Sequence, residues 1–367
     1  MCDFEWLENI DVPSYRISDF GLQNDASNEV GAAYMLIDEL TGTPSLYKDP
    51  EPSVEQVQKV YDQWADIQCI LQRHPVNEIG TLLFQPDDKI AVGSTTGDRT
   101  GRFPQRGPFT NAREYYSTFA EKYLEMIWDN QLFLAYPVNV YLVFKYLKEL
   151  AEVGRWNAFE ADLDDAPFYL KHMDDKGDHI LVDDDYNITE IIDWTFARSV
   201  PAFEAFGLFL LTADTGALFN SEPGRSSKDD MLAQALGRRD KALGQITSGP
   251  ELVRRFSFAL GMGMNMLREE AETLFHGVVS TATGIKPELG WEVWRQNRLY
   301  QWSDDSSLQD LLRRQGEEYT IKKMTNDTQV YNPPRFSTCL WDDCLRPGVR
   351  GKSCAQCRMH LCALHLP

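Results

Sequence analysis

Two stretches of this chain carry side chains able to do chemistry. The first is the polar loop His172-Met173-Asp174-Asp175-Lys176-Gly177-Asp178-His179, followed by apolar Ile180-Leu181-Val182, a turn at Tyr186-Asn187, and a second apolar segment ending at Asp193-Trp194. Two strands joined by a tight turn return to the same end, so Asp174 and Asp193 would face one site. Paired carboxylates there suit phosphoryl transfer: one orients an acceptor hydroxyl, and the other holds the magnesium ion that neutralises phosphate charge. On spacing alone the pattern also describes a surface hairpin with solvated acids.

The second stretch is the tail, spaced Cys339-x4-Cys344-x9-Cys354-x2-Cys357-x4-Cys362-x2-His365, with His360 inside. Thiolates and imidazole at these spacings suit tetrahedral zinc, which would supply the folding energy that so short a segment cannot draw from a core. Cys339, Cys344, Cys362 and His365 would form one site, and Cys354 and Cys357 would need His360 or an outside group for a second. Five sulfurs leave little room for an open coordination position, so the expected role is structural or protein-binding. The alternative is a disordered tail with free cysteines. The spacing is similar to the first part of an AN1-type zinc finger, without that family's last histidine and cysteine.

The elements that must position these residues follow from periodicity and punctuation. Ser53 with Gln56 three residues on is a capping-box signature, and Val54, Val57, Val60, Tyr61, Trp64, Ile67 and Leu71 follow at helical spacing, which predicts a long amphipathic helix up to Arg73. Ile79–Phe84 and Lys89–Val92 flank Gln85-Pro86-Asp87-Asp88 as a hairpin. Two helices are expected from about Ala112 to Trp128 and from Pro137 to Val153, with strands at Phe168–Lys171, Ile180–Val182 and Ile188–Trp194. The apolar run Gly31–Leu40, ending in Thr41-Gly42-Thr43-Pro44, reads as a buried strand entering a turn. From Pro201 to Gln315 the pattern is mostly helical.

The chain has 367 residues and a net charge of −20. The tail from Arg335 has five bases against two acids, so it carries +3 and the remainder −23. So acidic a body disfavours nucleic acid and anionic membrane surfaces as partners. It fits a small-molecule substrate, including a cationic one, and the tail could engage a protein partner. The acidic N-terminus lacks a signal-peptide core, and clustered cysteines read as metal ligands in a reducing compartment, which places the protein in the cytosol or nucleus.

The segment HMDDKGDHILVDDDYNITEIIDWTFARSVP resembles the catalytic stretch of the aminoglycoside phosphotransferase and choline-kinase-like superfamily, whose loop reads roughly H-G-D-x-x-x-x-N-I-L-V-D and continues to I-I-D-W-E. The wider resemblance runs from about Gly31 to Phe209 and includes Ile79–Phe84 and Gly107–Tyr116, both reminiscent of fungal members. It implies an α+β fold with a protein-kinase-like large lobe, mostly helical with short β-hairpins, plus the small zinc-binding module. Residues 1–30 would be a remnant N-terminal segment, 31–315 the kinase-like domain, 316–334 a linker and 335–367 the tail. It implies ATP and magnesium as cofactors, phosphorylation of a small-molecule hydroxyl, Asp174 as the catalytic aspartate and Asp193 as the metal-binding one, with Leu181 and Ile192 in the core.

The chain departs from the family at His179, which takes the place of the metal-binding asparagine, at Met173 in place of glycine, and at Thr195 in place of an acid. Magnesium prefers oxygen ligands. Met1–Val30 contains no lysine and is too short for a phosphate-covering loop and its strand. These departures imply a non-catalytic, pseudokinase-like scaffold with a zinc-binding interaction tail, a different use of the site, or a gene model lacking its N-terminus.

Overall fold

A computed structural model describes residues 3–316, except 24, 46–47, 49–50, 85–89, 96–104, 155–165, 195, 223, 261–266 and 285–286, and the side chains of 3–5, 84 and 287–289. Every cysteine and histidine of the tail lies outside the described residues, as do the expected linker beyond Gly316 and Thr195. The chain divides into two compact units, Met1–Thr281 and Ala282–Pro367.

The first unit opens with helix α1 (Asp3–Asn9), then strands β1 (Ile17–Gly21), β2 (Tyr34–Ile37) and β3 (Thr43–Pro44). Trp6, Leu7 and Val12 are buried, so the N-terminal segment belongs to the core of this unit. The long helix α2 (Val54–Gln72) begins at Ser53, whose hydroxyl and the Gln56 side chain close a reciprocal capping box. This satisfies backbone donors that a helix start leaves without partners. Val60, Tyr61, Trp64, Ile67 and Leu71 form its buried face, as their spacing predicts, whereas Val54 in the first turn is exposed and Val57 only partly buried. A hairpin of β4 (Thr81–Phe84) and β5 (Ile90–Gly93) follows. Helices α3 (Ala112–Trp128) and α4 (Pro137–Glu152) then pack together, with the rings of Tyr123 and Phe144 stacked at 4.9 Å.

Strand β6 (Phe168–Lys171) leads into the polar loop, and β7 (Ile180–Val182) and β8 (Ile188–Ile191) leave it. These two pair antiparallel with Ile180 opposite Ile191, and β3 completes a three-stranded sheet on the other side of β7. Strand β9 (Arg198–Pro201) turns back to pair with β6, Lys171 opposite Arg198. All four of its residues are buried. Helices α5 (Ala202–Ala205), α6 (Thr215–Phe219), α7 (Ser227–Arg239), α8 (Lys241–Thr247), α9 (Leu252–Leu260) and α10 (Arg268–Thr283) follow. Among them the fully buried Asp229 carboxylate receives Arg254 at 2.8 Å and Thr212. In the second unit, α11 (Pro287–Gln301) and α12 (Ser306–Arg314) are joined by a turn in which Asp305 caps α12. The Arg298 guanidinium lies over the Trp294 and Trp302 rings, at 5.8 and 5.4 Å.

One element departs from expectation. The Gly31–Leu40 run forms an exposed ribbon with β1, with Leu36 55% and Met35 44% exposed. Neighbouring strand residues point to opposite faces, so both faces of this two-stranded sheet are open among the described residues.

Candidate functional site

The polar loop is anchored at its base by a buried ion pair. Lys171, the last residue of β6, sits 3.3 Å from the Asp175 carboxylate, and both are almost fully buried. The lysine also donates to the Glu204 carbonyl at 2.8 Å, and Asp175 accepts from the Leu210 amide at 3.1 Å. The Glu204 side chain in turn receives the Tyr116 hydroxyl. This network ties the loop to β6, α3 and α5. Gly177, at φ 102°, then turns the chain in a conformation that side-chain-bearing residues avoid, and its carbonyl accepts from Ser45 at 3.0 Å.

Inside the turn the two histidines stack, with ring centroids 4.1 Å apart. His172 donates from Nε2 to the Ile192 carbonyl at 2.8 Å, because a carbonyl can only accept. His179 accepts at Nδ1 from the Gly177 amide at 3.3 Å, and its ring meets Trp64 edge-on. The remaining nitrogens, His172 Nδ1 and His179 Nε2, are buried without hydrogen-bond partners. Burial pushes the His172 pKa down, although Asp175, Asp174 and Asp193 pull it the other way. Burial also pushes His179 well below the usual value, helped by His172 and Lys176. Both rings are therefore neutral at pH 7.

Asp174 lies at the mouth of the loop, with its side chain 17% exposed, and Asp193 is exposed at the end of β8. The polar loop is tied to the end of the hairpin, since the Ile192 amide donates to the His179 carbonyl at 2.9 Å and the Ile192 carbonyl accepts from His172 at 2.8 Å. Both charges act on the same His172 imidazole. Asp193 adopts φ 62°, a left-handed conformation uncommon for a residue with a side chain. The strand ends at Ile191, three residues short of the expected Trp194. Ile191 is fully buried and Ile192 only partly, so Ile192 does not hold the core place expected of it. Leu181 does.

Two participants escape sequence reasoning. Tyr15 is buried, and its hydroxyl is pushed up to about 12 by burial and then by the negative charge of Asp193. Nothing in the N-terminal sequence marks it, because its place is fixed by a long-range contact in which the Ile191 amide donates to the Pro13 carbonyl at 2.9 Å. The other is Lys176, whose ammonium lies 2.9 Å from Asp174 Oδ2 and 2.8 Å from Asp178 Oδ2. Burial lowers its pKa, but the bonds to Asp178 and Asp174 outweigh this and raise it.

Magnesium, which the sequence resemblance implies, does not fit these residues. His179 is turned inward, with one nitrogen on Gly177 and the other among buried rings, and nitrogen suits magnesium poorly. Among the described residues, no group of three or more His, Cys, Asp or Glu stands ready to hold a metal ion. Nor is any described helix long and apolar enough to cross a membrane.

No family model and no curated protein matches the chain. Solved structures of thermostable variants of aminoglycoside phosphotransferase APH(4)-Ia are similar to it. One is a ternary complex with AMP-PNP and hygromycin B, at 14% identity and TM-score 0.42, covering 76% of this chain and 78% of that one. An apo form aligns at 15% identity and TM-score 0.39, covering 81% and 78%. Likeness this loose decides neither fold nor activity for the present chain.

Proposed function

We propose that this is a kinase-like phosphotransferase related to the aminoglycoside phosphotransferases, moving the terminal phosphoryl group of ATP to a hydroxyl of a small molecule at the Asp174–Asp193 end of the β7–β8 hairpin. The supporting observation is that Ile192, next to Asp193, accepts from His172 at its carbonyl and donates its amide to the His179 carbonyl, which ties the loop bearing Asp174 to the end of the hairpin at the positions where it resembles that family. In this reading Asp174 orients the acceptor hydroxyl and takes its proton as the new P–O bond forms and the bond to ADP breaks. The buried Lys171–Asp175 pair and the neutral histidine stack hold the loop in place without touching substrate. Asp174→Asn should reduce transfer of labelled phosphate from ATP to amino-sugar and amino-alcohol acceptors about a hundredfold. Equal transfer by the variant would refute the assignment.

The inward-turned His179 and the lack of a metal-holding group among the described residues favour a second reading, a non-catalytic scaffold. In both readings Cys339, Cys344, Cys354, Cys357, Cys362 and His365 would bind zinc as a protein-interaction module, a proposal that rests on donor chemistry alone. Turnover on any acceptor would exclude the scaffold.

A further inference from the structure

We propose that Arg254 is a positioning residue for the polar loop and acts through a single peptide plane: its guanidinium holds the Phe209 carbonyl, and the Leu210 amide of that same plane holds Asp175, the neighbour of Asp174. The proposal rests on the phosphotransfer reading for its effect on turnover, while its effect on the loop is measured without any substrate.

Phe209 ends an extended stretch and Leu210–Thr212 forms a short 3-10 turn between α5 and α6. The plane joining Phe209 to Leu210 is gripped from both sides. Toward the loop, its N–H donates to Asp175 Oδ1 at 3.1 Å. Toward the helices, its carbonyl accepts from Arg254 Nη1 of α9 at 3.1 Å. A peptide unit is rigid, so a shift at its oxygen must also move its N–H. The arginine is itself fixed. Nη1 donates to Asp229 Oδ1 of α7 at 2.8 Å, and Nη2 to Glu251 at 3.1 Å. Asp229 also takes the Thr212 hydroxyl, so the turn is held at two points by one ion pair. The Phe209 ring adds packing on the loop side, with the Lys171 ammonium 5.3 Å above it and Trp64 edge-on to both Phe209 and His179. Arg254 is 3% exposed and Asp229 not at all. Taking two charges so far out of water is costly, and such a pair is weak evidence for stability alone. What it provides here is direction: the planar fork aims one arm at the backbone and both at carboxylates, which a lysine cannot reproduce.

The experiment compares the full wild-type chain with Arg254→Lys, which keeps the charge and loses the fork. Hydrogen exchange read by mass spectrometry follows the loop, and steady-state transfer of phosphate from ATP follows its consequence. Exchange over 172–179 should rise at least about fivefold, while α3 and the β4–β5 hairpin change less than about twofold. Turnover should fall about tenfold at a KM within about twofold of wild type, because the displaced group meets the acceptor proton rather than binding substrate. Leu210→Pro deletes only the amide donor, at the first position of a turn where proline fits. It should reproduce both changes, and adding Arg254→Lys to it should lower kcat less than about twofold further, because the bridge is already cut. Thr212→Val, which frees the turn from Asp229 without removing a charge, serves if Arg254→Lys misfolds. Unchanged loop exchange, a rise spread evenly over the first unit, an unchanged kcat in an active enzyme, or losses that multiply in the double variant would each overturn the inference. A wild type without turnover would sink the phosphotransfer reading alone, and the exchange comparison would still decide whether Arg254 holds the loop.

Discussion

His172 and His179 are neutral, stacked and buried, so their protonation must oppose the fold. Both have folded-state pKa values below the ordinary 6.5. The unfolded chain therefore takes up protons first as the pH falls, and the stability from this pair is complete above pH 6.5 and is lost below it. His179→Asn keeps an acceptor for the Gly177 amide and removes one titrating ring. It should flatten the slope of unfolding free energy between pH 6.5 and 5 by up to about 1.4 kcal/mol per pH unit, read from urea titrations. An unchanged slope would show that His179 is not held neutral. The Lys171–Asp175 pair makes the opposite kind of contribution. Removing one partner of a buried pair strands the other, so Asp175→Ala should cost about 3–5 kcal/mol, and a loss below about 1 kcal/mol would mean that the pair is hydrated.

At the scale of elements, the parts written in local sequence were legible and the parts set by distant contacts were not. Helix α2 is announced by Ser53 and Gln56 and by its apolar spacing, and it forms as read. Ser53→Ala should cost about 1 kcal/mol and raise amide exchange in the first turn of α2. Exchange unaffected there would deny the cap its role. The β7–β8 hairpin was equally readable from two short apolar runs around Tyr186-Asn187. Strand β9 was not, because four residues show no period and their partner β6 lies nearly thirty residues back. The Gly31–Leu40 run misleads in the other direction, since apolar composition suggests burial and the ribbon is open. Leu36→Lys there should change stability by less than about 0.5 kcal/mol, whereas Leu181→Ala in β7 should cost about 2–5 kcal/mol. In the candidate site, motif spacing singles out Asp174 and Asp193 as candidates. It could not show that His179 faces inward, that Lys176 bridges two acids, or that the Asp193 charge acts on the buried Tyr15 hydroxyl, because each depends on how the backbone turns.

At the scale of the whole molecule, a strongly acidic body joins a basic, cysteine-rich tail. If the tail holds zinc, metal analysis of the purified chain should find at least one zinc ion, reduced in a Cys354→Ser, Cys357→Ser double variant. Zinc content indifferent to those cysteines would return the tail to free thiols. The central claim is that the Asp174–Asp193 end of the first unit handles the phosphates of a nucleotide. Isothermal titration of the full chain with ATP, in magnesium and again in EDTA, tests it most directly. A saturable heat with one nucleotide per chain is expected in both conditions, and no heat in either would contradict nucleotide handling at this site.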